Sequence, residues 1–119
     1  MSSLKNKVQL IGNLGSNPEI KIMEEGKKLA RISIATNESY RNTEGKKITE
    51  TNWHQVIAWG KTASVIEKYL TKGSEIALEG KLTTRQYIDK TGIKRYITEI
   101  VADEILLLED DVEYLSKRN

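Results

Sequence analysis

Apolar and polar residues alternate along most of this chain, and the period of the alternation changes once. Residues 7–14 read as a first strand that runs into Gly12, Asn13 and Gly15. Glycine inside a strand marks a bulge or bend, which barrel corners require. Residues 19–23 are placed to continue that strand beyond Pro18. Across residues 29–36, Ala30, Ile32 and Ile34 fall on one face and Arg31 and Ser33 on the other. Residues 38–47 are polar, with Gly45 as a turn signal, and predict a long loop or flexible hairpin. Residues 48–59 form a third strand.

The period then lengthens. Ala63, Ile66 and Leu70 recur at helical spacing within residues 61–70, and Tyr69 beside them is expected in the core. Gly73 follows as a helix stop. Ile76, Leu78, Leu82 and Ile88 share one parity in a fourth long strand, with Leu78 and Leu82 expected in the core. Asp89, Lys90, Thr91 and Gly92 form a hairpin-type turn cluster, and residues 93–108 make the last strand. Three strands, one helix and two strands predict an all-β domain with one helix: a five-stranded OB-fold barrel, capped by the helix between strands three and four. Other small α+β folds share this order. Because the chain has no phenylalanine, its core must be built from Ile, Leu, Val and Ala.

Composition narrows the chemistry. The 119 residues fit one domain, read as residues 1–108 with a short polar extension over 109–119. There is no cysteine, so neither disulfides nor thiolate metal sites arise. The first residues form no apolar signal segment and no run is long enough for a membrane helix, which predicts a cytoplasmic protein. The formal charge of +2 is too small to imply a polyanionic partner by itself. Acidic residues gather late, at Glu104, Glu109, Asp110, Asp111 and Glu113, leaving a more basic body ahead of them. Asp110 and Asp111 read as a solvated acidic run. Gly60-Lys61-Thr62 ends like a phosphate-binding loop, but Gln55 stands where that motif needs glycine. His54 is the one histidine and cannot make a metal site alone. Asn37-Glu38-Ser39 matches a glycosylation sequon, which has no meaning without secretion. No nucleophile–base set or paired carboxylates stand out, so neither an enzyme nor a cofactor is expected.

The seven aromatics carry more information: two tryptophans and five tyrosines. Tyr114 lies in the acidic extension. Tyr40, Trp53, Trp59, Tyr87 and Tyr96 sit among polar and basic neighbours: Arg41, His54, Lys61, Arg85 and Gln86, and Lys94 and Arg95. Trp53, Gln55, Ile57 and Trp59 share a parity, so both tryptophans face one way. Tyr87 shares its parity with Lys81, Thr83 and Arg85, on the side away from Leu78 and Leu82. Rings beside cations on an open sheet suit single-stranded nucleic acid, because every base has a π-face and cations track phosphates. Half-buried barrel tryptophans, or tryptophans at a subunit interface, fit the pattern equally well.

Many short stretches in order carry a resemblance over residues 5–108. They include Asn6-Lys7-Val8, Ile11-Gly12-Asn13-Leu14-Gly15, Pro18-Glu19, Ile34-Ala35-Thr36, Glu38-Ser39-Tyr40-Arg41, Trp53-His54 and Trp59-Gly60-Lys61. The second half adds Tyr69-Leu70, Lys72-Gly73-Ser74, Glu79-Gly80, Thr84-Arg85 and Arg95-Tyr96-Ile97-Thr98-Glu99. The chain resembles the bacterial single-stranded DNA-binding protein family. That resemblance implies an OB fold, a homotetramer and sequence-tolerant binding and protection of single-stranded DNA in replication, recombination and repair. It implies base stacking at Tyr40, Trp53, Trp59 and Tyr87. The family often has tryptophan at the Tyr40 and Tyr87 positions and phenylalanine at that of Trp59. It implies phosphate contacts at Lys61, Lys72, Arg85 and Arg95, with Lys21 and Arg41 as further positions; Gln86 stands where a basic residue is common. His54 falls at a subunit-interface position. The family's long Gly/Pro/Gln-rich tail with an acidic, proline- and phenylalanine-containing tip has no counterpart in residues 109–119, which end Lys117-Arg118-Asn119. Recruitment of replication or repair enzymes by such a tail is therefore not expected, and a compact or mobile-element form fits. An OB-fold accessory subunit of replication restart and an RNA- or tRNA-binding OB protein are the alternative readings.

Overall fold

The computed structural model of the protein describes residues 5–108. The readings that fall on residues 109–119, including Tyr114, the acidic run and the tail, lie outside the described residues. The elements are β1 (Val8–Leu14), β2 (Glu19–Ile22), β3 (Lys28–Arg41), β4 (Lys47–Trp59), α1 (Gly60–Tyr69), β5 (Glu75–Ile88) and β6 (Lys94–Leu108), with a 3₁₀ turn at Glu24–Gly26.

Antiparallel ladders join β3 to β4 from Leu29↔Trp59 to Arg41↔Lys47, β5 to β6, and β1 to β5. Two short seams close the ring. β1 meets β3 at Asn13↔Ala35 and Leu14↔Ile34, and β4 meets β6 in parallel at Val56↔Ile100 and Ile57↔Val101. β2 continues β1 along the same edge of β3, in a shifted register, at Glu19↔Arg31 to Ile22↔Lys28. β1 and β2 are thus two halves of one barrel strand, and the expected five-stranded OB barrel stands.

The alternating inward residues fill the barrel as the composition demands. Ala30, Ile32 and Ile34 meet Val56, Ala58, Ile76, Leu78, Ile100 and Ala102. Each large aliphatic residue buried there stabilises the fold by about 1.5–3 kcal/mol. The helix plugs the barrel with Ala63 and Ile66, and Leu70, the residue that ends it, fills the place beside them.

Two expectations are corrected and a third is narrowed. Tyr69 is not in the core: it is 55% exposed, with Lys68 Nζ 5.3 Å from its ring centre, and Leu70 takes the buried place. Leu82 and Ile88 keep their parity but are 49% and 63% exposed, because β5 and β6 run on from the end of the barrel as a two-stranded arm that no layer covers among the described residues. Of the long loop or flexible hairpin expected over residues 38–47 the structure gives the hairpin, with residues 38–41 in strand rather than loop and β3 and β4 paired as far as Arg41↔Lys47.

The tips of these two hairpins are built alike. In one, Asn42 Oδ1 accepts from the backbone N–H groups of Glu44 and Lys46, at 2.9 and 3.0 Å. In the other, Asp89 Oδ1 accepts from those of Thr91 and Ile93, at 2.9 and 3.0 Å. Gly45 and Gly92 follow at φ 79° and 85°, the left-handed region that glycine enters without strain.

Candidate nucleic-acid interface

Residues opposite one another in a ladder point to the same face. Trp53, Gln55, Ile57 and Trp59 therefore stand outward beside Ala35, Ser33, Arg31 and Leu29. Through Ile57↔Val101 this face continues onto β6 and β5, where Lys81, Thr83, Arg85 and Tyr87 lie opposite Val101, Glu99, Ile97 and Arg95. One outward surface thus carries Trp53, Trp59 and Tyr87, exposed by 59%, 42% and 44%. The one register irregularity of the β5–β6 ladder falls at Glu79/Gly80, where Asp103 of β6 is left over, so the parity of β5 survives to Tyr87.

Local chemistry sets each ring. Gly15 lies directly under the Trp53 indole, close enough that a Cβ there would meet its outer ring carbons. The loop holding Gly15 is tied to the turn after α1: Asn17 Oδ1 accepts from the Lys72 N–H at 2.8 Å, and Leu14 O from the Gly73 N–H at 2.8 Å. This brings the Lys72 backbone to the loop on which Trp53 rests. Trp59 stands at the corner where β4 turns into α1 and lines an open groove with Lys27 and Gly60. Lys61 follows in the first turn of the helix. Tyr40 is 50% exposed, but it pairs with Ile48 and so lies on the opposite face of the β3–β4 hairpin from Trp53; its phenol donates to Glu50 Oε1 at 3.3 Å. The structure brings three of the four expected rings onto one face and sets Tyr40 apart.

The expected cations differ in how far they are already engaged. Lys61, Lys72 and Arg41 form no ion pair among the described residues. Arg41 is steered by donating from Nη1 to Gly45 O at 2.8 Å. Lys21 lies 3.5 Å from Glu19, but both side chains are largely exposed, so the pair contributes about 0–1 kcal/mol. Arg95 Nε donates to Asp89 Oδ2 at 2.9 Å. The Thr91 hydroxyl first, and then Arg95, pull the Asp89 carboxyl down to about 2. Arg85 donates from Nε to Glu99 Oε1 at 2.8 Å and from Nη2 to Glu99 Oε2 at 3.4 Å. Its hydrogen bond to Glu99 raises the Arg85 guanidinium above the ordinary arginine value.

Glu99 had no role in the reading of the residues, yet it is the buried charge of this face, only 2% exposed. Its signal is in the hairpin register: counting outward from the Asp89–Gly92 turn sets Glu99 opposite Thr83, one diagonal step from Arg85. His54 points the other way from the tryptophans, half-buried, with Nε2 2.9 Å from Thr36 Oγ1. Among the described residues no group of three or more His, Cys, Asp or Glu is placed to hold a metal ion, and no helix is long and apolar enough to cross a membrane.

A small closed barrel that turns rings outward on one sheet face, with lysines at its margins, is the construction of an OB-type binder of single-stranded nucleic acid. Comparison with known proteins agrees: the chain belongs to the Single-strand binding protein family, which it matches over residues 5–108. It is 44% identical over 109 residues to the Single-stranded DNA-binding protein 1 of Xylella fastidiosa (strain 9a5c), covering 91% of this chain and 79% of that one. Its fold is similar to that of the Plasmodium falciparum SSB in complex with ssDNA, with a TM-score of 0.80, 34% identity, and coverage of 92% and 98%. A deletion mutant of the single-stranded DNA binding protein from Thermus aquaticus superposes with a TM-score of 0.77 at 28% identity, over 89% of this chain and 51% of that one.

Proposed function

We propose that this protein binds and protects single-stranded DNA without regard to sequence, in the cytoplasm, during replication, recombination and repair. The observation that carries the reading is the continuous outward face that holds Trp53, Trp59 and Tyr87 together with Lys61 and Lys72 at its margins. Bases stack on the rings, and the lysines follow the phosphates. Lys21, Arg41, Arg85 and Arg95 add positive groups along the same path, and Tyr40 serves a strand that passes the β3–β4 hairpin. Nothing in the arrangement calls for a reaction, and the role is binding rather than catalysis.

Self-association into a homotetramer belongs to this reading. The Val8–Gly12 stretch of β1 is paired to β5 on one edge only, among the described residues. Beside it, Ile11, Ala77 and Leu106 form an apolar row across three strands, with Ile11 64% and Leu106 51% exposed. An unpaired edge next to exposed aliphatic surface is the arrangement a second copy covers. His54, on the face of β4 away from the tryptophans, is assigned to subunit contact.

Titration with oligodeoxythymidylate tests the binding reading, because Trp53 and Trp59 report stacking through their own fluorescence. Quenching should saturate, and affinity should fall with salt with a log–log slope of about −0.7 for each phosphate neutralised. Trp53→Ala and Trp59→Ala should each lose about 1–3 kcal/mol of binding while remaining folded. Equal affinity for duplex DNA, or folded ring variants that bind like the parent, would refute the reading.

A further inference from the structure

Arg85 stands between Thr83 and Tyr87 on the outward row of β5, in the middle of the face that carries the rings. Its guanidinium is already bound. The edge carrying Nε and Nη2 is turned onto the Glu99 carboxylate in a two-point, charge-assisted pair. That carboxylate is 2% exposed, whereas the arginine side chain is 48% exposed. Among the described residues Glu99 is the one buried charged side chain.

Two consequences follow from elementary electrostatics. A carboxylate so enclosed does not release its cation cheaply, since breaking the pair leaves a buried charge with nothing opposite it. A passing phosphate therefore cannot pull Arg85 away. The pair also has no net charge, and a phosphate settling on Arg85 would meet the negative carboxylate just beneath it. What Arg85 still offers is a flat, half-exposed guanidinium whose Nη1 donors have no partner among the described residues, two residues along the strand from the Tyr87 ring. A planar, weakly hydrated guanidinium lies well against an aromatic base.

From this geometry we infer that Arg85, held by Glu99, contacts a base of the bound strand rather than a phosphate, as a further flat station beside Tyr87, and that Glu99 is its positioning residue. The inference rests on the single-stranded DNA reading and refines it at one residue. Lys61 and Lys72, which form no ion pair among the described residues, remain phosphate contacts.

The test uses the full chain and two probes: oligodeoxythymidylate, and an abasic deoxyribose-phosphate oligomer of the same length. Lys72→Ala serves as the phosphate-contact control and should flatten the salt slope by about 0.7 on both probes. The double variant Arg85→Ala/Glu99→Gln removes the pair without leaving a buried charge. It should bind oligodeoxythymidylate about tenfold more weakly at every salt concentration, with unchanged slope, and should bind the abasic oligomer like the parent. Arg85→Lys keeps the charge and can keep the ion pair, but loses the plane. It should show the same loss on oligodeoxythymidylate, and it covers the case in which the double variant does not fold. A slope flattened by about 0.7 in the double variant, a loss on the abasic oligomer, or full affinity in Arg85→Lys would each overturn the inference. Failure of the parent protein itself to bind oligodeoxythymidylate would instead refute the underlying reading.

Discussion

Gly15→Ala separates the seat of a stacking ring from the fold that carries it. A Cβ at residue 15 would fall inside the contact distance of two Trp53 ring carbons, with Cη2 at 2.7 Å. Ordinary carbon–carbon contact lies at about 3.5–4 Å, so the indole must move by about 1 Å or more. It is free to do so, because it is 59% exposed and can swing into water. The cost to the fold is that of a displaced rotamer and a lost ring contact, within about 1 kcal/mol. The cost to binding approaches one stacked base, about 1–3 kcal/mol, or roughly a 5- to 150-fold weaker association. Gly12→Ala gives the contrast. Its Cβ would strike the Ala35 carbonyl oxygen, and Ile34 Cγ2 at 2.8 Å, which are backbone and core atoms at the closing seam. It should lose about 1–3 kcal/mol of stability, or more. Thermal melting paired with fluorescence titration reads both quantities. A folded Gly15→Ala protein with parental affinity, or one as destabilised as Gly12→Ala, would refute the reasoning.

Other expectations are as direct. Leu70→Ala, which empties a buried place, should cost about 2–5 kcal/mol in denaturant unfolding, and Tyr69→Ala should stay within about 0.5 kcal/mol; equal losses would return Tyr69 to the core. The Asp89 carboxyl, held near a value of about 2, should stay ionised through mild acid. Because its folded value lies below the unfolded one of about 3.9, its stabilisation of the hairpin tip is complete above that value and is lost as the pH falls through about 2; carboxyl-carbon NMR would follow it. Asp89→Asn should keep the turn, since Asn42 builds the matching one, but should free Arg95 and steepen the salt slope of binding by about 0.7; an unchanged slope would keep Arg95 off the strand. Ile11→Asp should abolish self-association in light scattering and leave the rings of the outward face in place; an intact oligomer would move the contact elsewhere.

The barrel was legible because its signals are local. Period-two alternation, one helical stretch and the Asp89–Gly92 turn needed no knowledge of distant contacts. The shared face of Trp53 and Trp59 came from parity alone, and the role proposed for them is the one that the resemblance implies. What escaped depends on how far the barrel extends. Leu82 and Ile88 alternate like core residues, but among the described residues no layer covers them where the β5–β6 arm leaves the barrel. Tyr69 and Leu70 are neighbours on the helix, and helical spacing alone does not say which of them the barrel mouth encloses. Tyr40 falls on the face opposite Trp53 because it pairs with Ile48, an odd number of positions along the same ladder from Trp53. Glu99 became visible only when the register placed it diagonally across from Arg85.

The seam between β1 and β3 holds by two paired positions, and one of them, Ala35, is also the partner of Trp53. The Trp53 ring thus stands over one of the two short splices that close the barrel. Breathing motions begin where the fewest hydrogen bonds must break at once. On the proposed function, a strand pressed onto Trp53 would favour the closed form and by mass action thin the population of the opened one. Amide protons at this splice, such as that of Gly15 bonded to Ser33 O at 3.0 Å, become natural gauges of occupancy, exchanging with deuterium more slowly as the protein is loaded. On the proposed function the nucleic acid would act as a clasp, leaving the barrel hardest to unzip when loaded.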